Sequence, residues 1–133
     1  MDKDNVIKYW LESADHDQET AEGLFKLKKY SWSLFIWQLV IEKRLKARIV
    51  EKLDDSAPTI HDLNKLANLA QLKLTPTQEY NLQQVTKFNI NARYEDYKHT
   101  FYKQATRAFA IKWIKISKDL LLWLKKQNWK KQS

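Results

Sequence analysis

Apolar side chains recur at three- and four-residue steps along most of the chain, the spacing that lines one face of an α-helix. Val6, Ile7, Trp10, Leu11, Ala14, Ala21, Leu24 and Phe25 mark the first such stripe, which predicts an amphipathic helix over residues 4–27 with an acidic outer face. Lys28 and Lys29 then favour the negative end of its dipole, and Ser31 is a candidate cap for the next helix. That second helix, residues 31–53, opens with Trp32, Leu34, Phe35, Ile36, Trp37, Leu39, Val40 and Ile41. It is apolar nearly all the way round, which predicts a central helix covered on every face, by this chain or by a second copy. Farther along, Leu45, Ile49 and Leu53 keep a stripe, while Glu42, Lys43, Arg44, Lys46, Arg48, Glu51 and Lys52 are expected to face water. Gln38, Glu42 and Lys46 lie four apart, a structural polar ladder.

The clearest break is the run from Asp54 to Thr59. Thr59 with Asp62 three residues on resembles a capping box that opens a third helix, with Leu63, Leu66, Ala67, Leu69 and Ala70 as its core face and His61 as a packing or capping residue. A fourth helix starts at Thr75 and Pro76, with Tyr80, Leu82, Val85 and Phe88 predicted to point inward. Thr106 caps a last long helix whose stripe is Phe109, Trp113, Ile116, Leu120, Trp123 and Leu124, with Lys112, Lys115, Lys118, Lys125 and Lys126 mostly off it. Residues 127–133 are expected to fray.

One Gly and two Pro in 133 residues leave few sites for tight turns, so the chain is expected to be all-α, an up-and-down bundle of four to five helices in one domain. The absence of cysteine excludes disulfides, thiol catalysis and cysteine-ligated metals. His16, His61 and His99 are isolated and offer no metal-ligand spacing, so neither metal nor cofactor is expected. No apolar run reaches bilayer length and the first residues do not resemble a secretory signal; a cytoplasmic protein with no membrane partner is the expectation. The net charge of +8 is sorted along the chain. Residues 1–25 hold two lysines against seven acids, whereas residues 97–133 hold ten Lys and Arg against Asp119 alone. Such a basic segment attracts polyanions regardless of their sequence, or complements the acidic first helix within one chain or across a dimer.

Chemistry concentrates in the stretch from Asn91 to Tyr102. Arg93 is a permanent planar cation suited to a phosphate, and His99 is the side-chain type that exchanges protons near neutrality. Around them stand Tyr94, Glu95, Asp96, Tyr97, Lys98, Tyr102 and Lys103 as candidate binding or supporting residues. The plain structural alternative pairs Arg93 with Glu95 or Asp96 and leaves His99 on a solvated turn. On one straight helix, six positions rotate by about 600°, so Arg93 and His99 converge only if the backbone between them is irregular.

Four segments carry a family resemblance: residues 10–17 (WLESADHD), the helix with Phe35, Gln38, Glu42, Lys43, Leu45, Lys46 and Ala47, the run His61-Asp62-Leu63, and Ala92 to Tyr97. Together and in this order they resemble a HEPN domain across nearly the whole chain. The resemblance implies a helical bundle that is commonly a homodimer, often beside a minimal nucleotidyltransferase in a toxin–antitoxin pair. Ribonuclease members carry Arg, a gap of about four to six residues, then His, and Arg93 and His99, with five residues between them, match that pattern. The resemblance then implies that Arg93 orients the scissile phosphate and stabilises its charge while His99 moves protons, with no metal. Tyr94, in place of a small polar residue, and Phe101, where some toxins carry a modifiable tyrosine, depart from the pattern.

Two functions from different classes follow. The favoured one is a dimeric module that binds RNA, a nucleotide or a nucleotidyltransferase partner; the other is a metal-independent ribonuclease acting through Arg93 and His99.

Overall fold

The structure, a computed structural model, describes residues 2–54 and 56–127. Among them six helices follow one another: α1 (Lys3–Lys26), α2 (Tyr30–Leu53), α3 (Leu63–Leu69), α4 (Pro76–Asn91), α5 (Glu95–Gln104) and α6 (Arg107–Lys126). The bundle is all-α, with four long helices and the short α3 and α5 filling its joints. Residues 128–133, for which fraying was expected, lie outside the described residues.

α2 is the axis. It packs against each of the other five helices, and Leu34, Trp37, Val40, Ile41, Leu45 and Ile49 are buried along it. Its apolar first half is covered only in part: Trp32 is exposed, and Phe35, Ile36 and Leu39 are half-buried. Burying these side chains is the main stabilising term, about 1.5–3 kcal/mol for each large one.

Several polar residues of α2 lie inside rather than in water. Glu42, Lys46 and Arg48 are buried, contrary to the expected solvent face. Each has a partner there: Lys46 Nζ reaches Glu42 Oε2 at 3.0 Å, and Arg48 Nε donates to the carbonyl of Ala70 at 3.1 Å. Ala70 is the C-cap of α3, so Arg48 satisfies a carbonyl at the end of a helix. Two acids of α1 are taken up by α2: Lys43 pairs with Asp17 at 2.6 Å and Arg44 with Asp15 at 2.6 Å. Through these two pairs the acidic first helix complements α2 within the chain.

Helix ends follow local chemistry, with some corrections. Thr75 and Gln78 form a full capping box and Pro76 opens α4; Thr106 caps α6 by accepting from Phe109 N–H. Asp62 itself, and not Thr59, caps α3 by accepting from Asn64 and Lys65 N–H. Ser31 does not cap α2, whose N-cap is Lys29 without a side-chain bond. Tyr80 and Leu69, expected inside, are exposed at 57% and 41%.

α1 and α3 end in Schellman motifs built without glycine. Lys28 N–H bonds to Phe25 O and Lys29 N–H to Leu24 O; Gln71 N–H bonds to Asn68 O and Leu72 N–H to Ala67 O. Lys28 and Gln71 carry the left-handed φ of 62° and 61° that this motif requires.

Candidate functional site

The site residues gather where α4 gives way to α5. Ala92, Arg93 and Tyr94 separate the two helices, and the N–H groups of both Arg93 and Tyr94 bond to Ile90 O at 3.1 Å. Neither Gly nor Pro causes this break. Phe101 is buried with its ring stacked 5.4 Å from Phe88, and Phe109 and Trp113 complete the aromatic cluster. Bringing Phe101 onto Phe88 turns α5 back against α4, and the link between them bends to allow it. Arg93 therefore stands in the link while His99 stands on the second turn of α5.

Arg93 is held on three sides. Its Nε donates to the backbone carbonyl of Asn89 at 2.8 Å, and its Nη2 donates to Asn89 Oδ1. The guanidinium lies 5.5 Å from the ring centroid of Phe35 and 5.4 Å from that of Tyr94. The ion pair with Glu95 or Asp96 is replaced by this grip from Asn89. Glu95 faces Lys98 instead, at 3.9 Å, and both are exposed enough for the pair to contribute little. Asn89 uses two of the five N–H donors of a guanidinium, and three remain for a further acceptor.

Beside Arg93 a cleft of about 280 Å³ opens between the start of α2 and α5, lined by Ser31, Trp32, Ala92, Glu95, Lys98, His99 and Tyr102. Lys98 Nζ lies 5.6 Å over the Trp32 ring, and Trp32 meets Phe35 at 6.1 Å. Arg93, Phe35, Trp32 and Lys98 thus form a row in which two cations flank a pair of rings, with Trp32 and Lys98 lining the cleft. His99 is exposed in the cleft and makes no hydrogen bond among the described residues. The structure brings together Glu95, Lys98, His99 and Tyr102 in the cleft, while Arg93 and Tyr94 lie between the lining residues Ala92 and Glu95 without lining it themselves. Asp96, Tyr97 and Lys103 are exposed on α5 outside the lining.

A buried polar strip leads away from Arg93. Asn89 Nδ2 donates to Gln38 Oε1 at 2.8 Å, and Gln38 Nε2 donates to Glu42 Oε1 at 3.0 Å and to the carbonyl of His61 at 3.1 Å. Glu42 also meets Lys46 Nζ at 3.0 Å and His61 Nδ1 at 2.9 Å. Lys46 in turn sits 5.5 Å over Trp10. His61, expected to pack or cap, is instead oriented by a carboxylate that is itself 5% exposed. The four-residue spacing of Gln38, Glu42 and Lys46 announced the strip; its partners Asn89 and His61, remote in sequence, had no such signal.

The HEPN domain family matches residues 7–127. The chain belongs to that family. A solved structure, that of TT1696 from Thermus thermophilus, shares its fold with a TM-score of 0.74 and 22% identity, over 90% of this chain and 96% of the other. No curated protein matches.

Within this HEPN domain, the arrangement suits recognition of a phosphate next to a flat ring. Arg93 supplies donors that are already oriented, Lys98 supplies a second charge, and Trp32 and Tyr102 supply faces for stacking. Among the described residues no group of three His, Cys, Asp or Glu converges as metal ligands do, and no helix is long and apolar enough to cross a membrane. Burial lowers the pKa of Arg48 from its usual value, with Glu51 opposing the shift.

Proposed function

We propose that this HEPN chain is a binding module for single-stranded RNA or a nucleotide, which docks in the α2–α5 cleft. The observation that carries this reading is the row Arg93, Phe35, Trp32, Lys98, with His99 and Tyr102 beside it. Aromatic faces stack bases without regard to sequence, and fixed cations hold the phosphates between them. In this reading the chain works as a cytoplasmic homodimer, supported by the exposure of Tyr94, Tyr97 and Tyr102 around the same junction. A minimal nucleotidyltransferase in a toxin–antitoxin pair is the partner that the family resemblance supports. The test is titration with a short single-stranded RNA at several salt concentrations. Binding that falls as salt rises, and that Arg93→Ala and Lys98→Ala each weaken, is the expected result; salt-independent binding refutes it. Light scattering tests the dimer.

A second reading is favoured by one observation, the break between α4 and α5, which removes the helical phase that would point Arg93 and His99 apart. In it the chain is a metal-independent ribonuclease. Arg93 stabilises charge on the scissile phosphate, and His99 takes the proton of the 2′-hydroxyl or protonates the leaving oxygen. Cleavage in chelator that leaves cyclic phosphate ends, abolished by Arg93→Ala and by His99→Ala, supports it. Intact RNA bound tightly by the wild type supports the module instead.

A further inference from the structure

A larger groove lies away from the α2–α5 cleft and shares no residue with it. α1 and α6 both pack on α2 but hardly on one another, and between them a space of about 580 Å³ remains. That volume falls within the roughly 300–1,000 Å³ typical of small-molecule sites. Phe25, Ile111 and Ile114 supply apolar walls, with Trp37 as the floor. Ile111 is 48% exposed, although it belongs to an otherwise regular amphipathic helix.

Its rim separates this groove from a mere packing defect. Lys26, Lys115 and Lys118 stand there against Glu22 alone, and Arg107 lies 5.3 Å over the Phe25 ring. Asp119 engages Lys115, at 3.3 Å, and leaves the other two lysines to the groove. An occupant that suits the walls and the rim has an apolar body and a negative charge.

We propose that the α1–α6 groove is a binding site for a small amphipathic carboxylate, an aliphatic or aromatic acid whose body lies on Phe25, Ile111 and Ile114. The lysine rim sets the sign of the charge, and the apolar walls set the rest. This site goes beyond RNA or nucleotide binding and stands or falls independently of it.

The experiment uses the full chain with anilinonaphthalenesulfonate, an apolar ring system with one negative charge, as fluorescent probe and octanoate as competitor. Saturable binding of one probe per chain, displaced by octanoate and at least about tenfold less well by octanol, is the expected result. Ile111→Glu alters an exposed wall residue, and its far-ultraviolet circular dichroism should stay unchanged while probe binding disappears. Lys26→Gln with Lys118→Gln should weaken octanoate about tenfold and leave octanol unaffected. Probe binding that does not saturate, equal displacement by octanol, or unchanged affinity in folded Ile111→Glu would overturn the proposal.

Discussion

Asn89 grips Arg93 twice, through its backbone carbonyl at 2.8 Å and through its side-chain oxygen, while its own side-chain nitrogen reaches Gln38 at 2.8 Å. One buried amide thus sets the position of the exposed guanidinium and ties it to the central helix. The cation offered to a ligand is the end of a chain of bonds that starts in the core.

Replacing Asn89 by Ala should act on stability and on binding together. It leaves Gln38 Oε1 without a donor in a buried site, for an expected loss of about 1–3 kcal/mol by thermal unfolding. RNA affinity should fall as well, since Arg93 keeps its charge but loses its fixed orientation. Arg93→Lys separates the two effects: near-native unfolding with weakened binding is expected, because an ammonium cannot reproduce the planar fork.

Glu42 is the joint of the polar strip, meeting Gln38, Lys46 and His61. Glu42→Leu removes the carboxylate and leaves Lys46 buried beside it, so a loss of about 3–5 kcal/mol is expected. Pairing it with Lys46→Met should recover much of that loss, because two apolar side chains of similar volume need no partner. A double-mutant cycle in urea unfolding measures the coupling; additive losses would show that the pair does not act as a unit.

Much of this fold was legible from spacing. The first two long helices and the caps at Thr75 and Thr106 were visible in the period and the end signals, because a helix stripe and its capping are local properties. Glu42, Lys46 and Arg48 were misplaced because residue type assigns charges to water, whereas their burial depends on partners supplied by other parts of the fold, such as the Ala70 carbonyl. The helix break at Ala92 to Tyr94 was invisible for a similar reason. It is imposed by Phe101 finding Phe88 and not by any breaker in the link. Of the candidate site, the sequence singles out Arg93 and the α5 residues, while their juxtaposition with Trp32, Phe35 and Asn89, and the Glu42–His61 contact, emerge only in three dimensions.

Lys28 and Gln71 hold left-handed backbone angles that glycine adopts without cost. Lys28→Gly and Gln71→Gly should each stabilise the chain by up to about 1 kcal/mol, offset in part by the greater freedom glycine gives the unfolded state. Alanine at the same positions should give no gain, since it keeps the Cβ that opposes this conformation. Thermal unfolding of the four variants distinguishes strain relief from a general effect of shortening the side chain.

Burial lowers the pKa of Arg48, so the folded chain releases that proton more readily than the unfolded one. For a base with a lowered pKa, stability rises with pH only between the folded and unfolded values, which for arginine lies in strong alkali. Arg48→Met should therefore destabilise by about 1–3 kcal/mol, through the orphaned Ala70 carbonyl, and by the same amount at pH 6 and at pH 9. A difference that changes across this interval would refute the assignment of the effect to the hydrogen bond.

The pairing of α1 acids with Lys43 and Arg44 has a consequence for how the molecule meets its surroundings. Because those carboxylates are engaged along α2, and Asp119 is the sole acid on α6, the lysines of the last helix are left to act outward. The charge is carried as a moment and not as a uniform coat. A polyanion approaching in dilute salt exerts a torque before it makes contact, turning the C-terminal helix toward itself within about 10 Å at moderate ionic strength. Orientation then precedes contact, and the last helix is the face that arrives first.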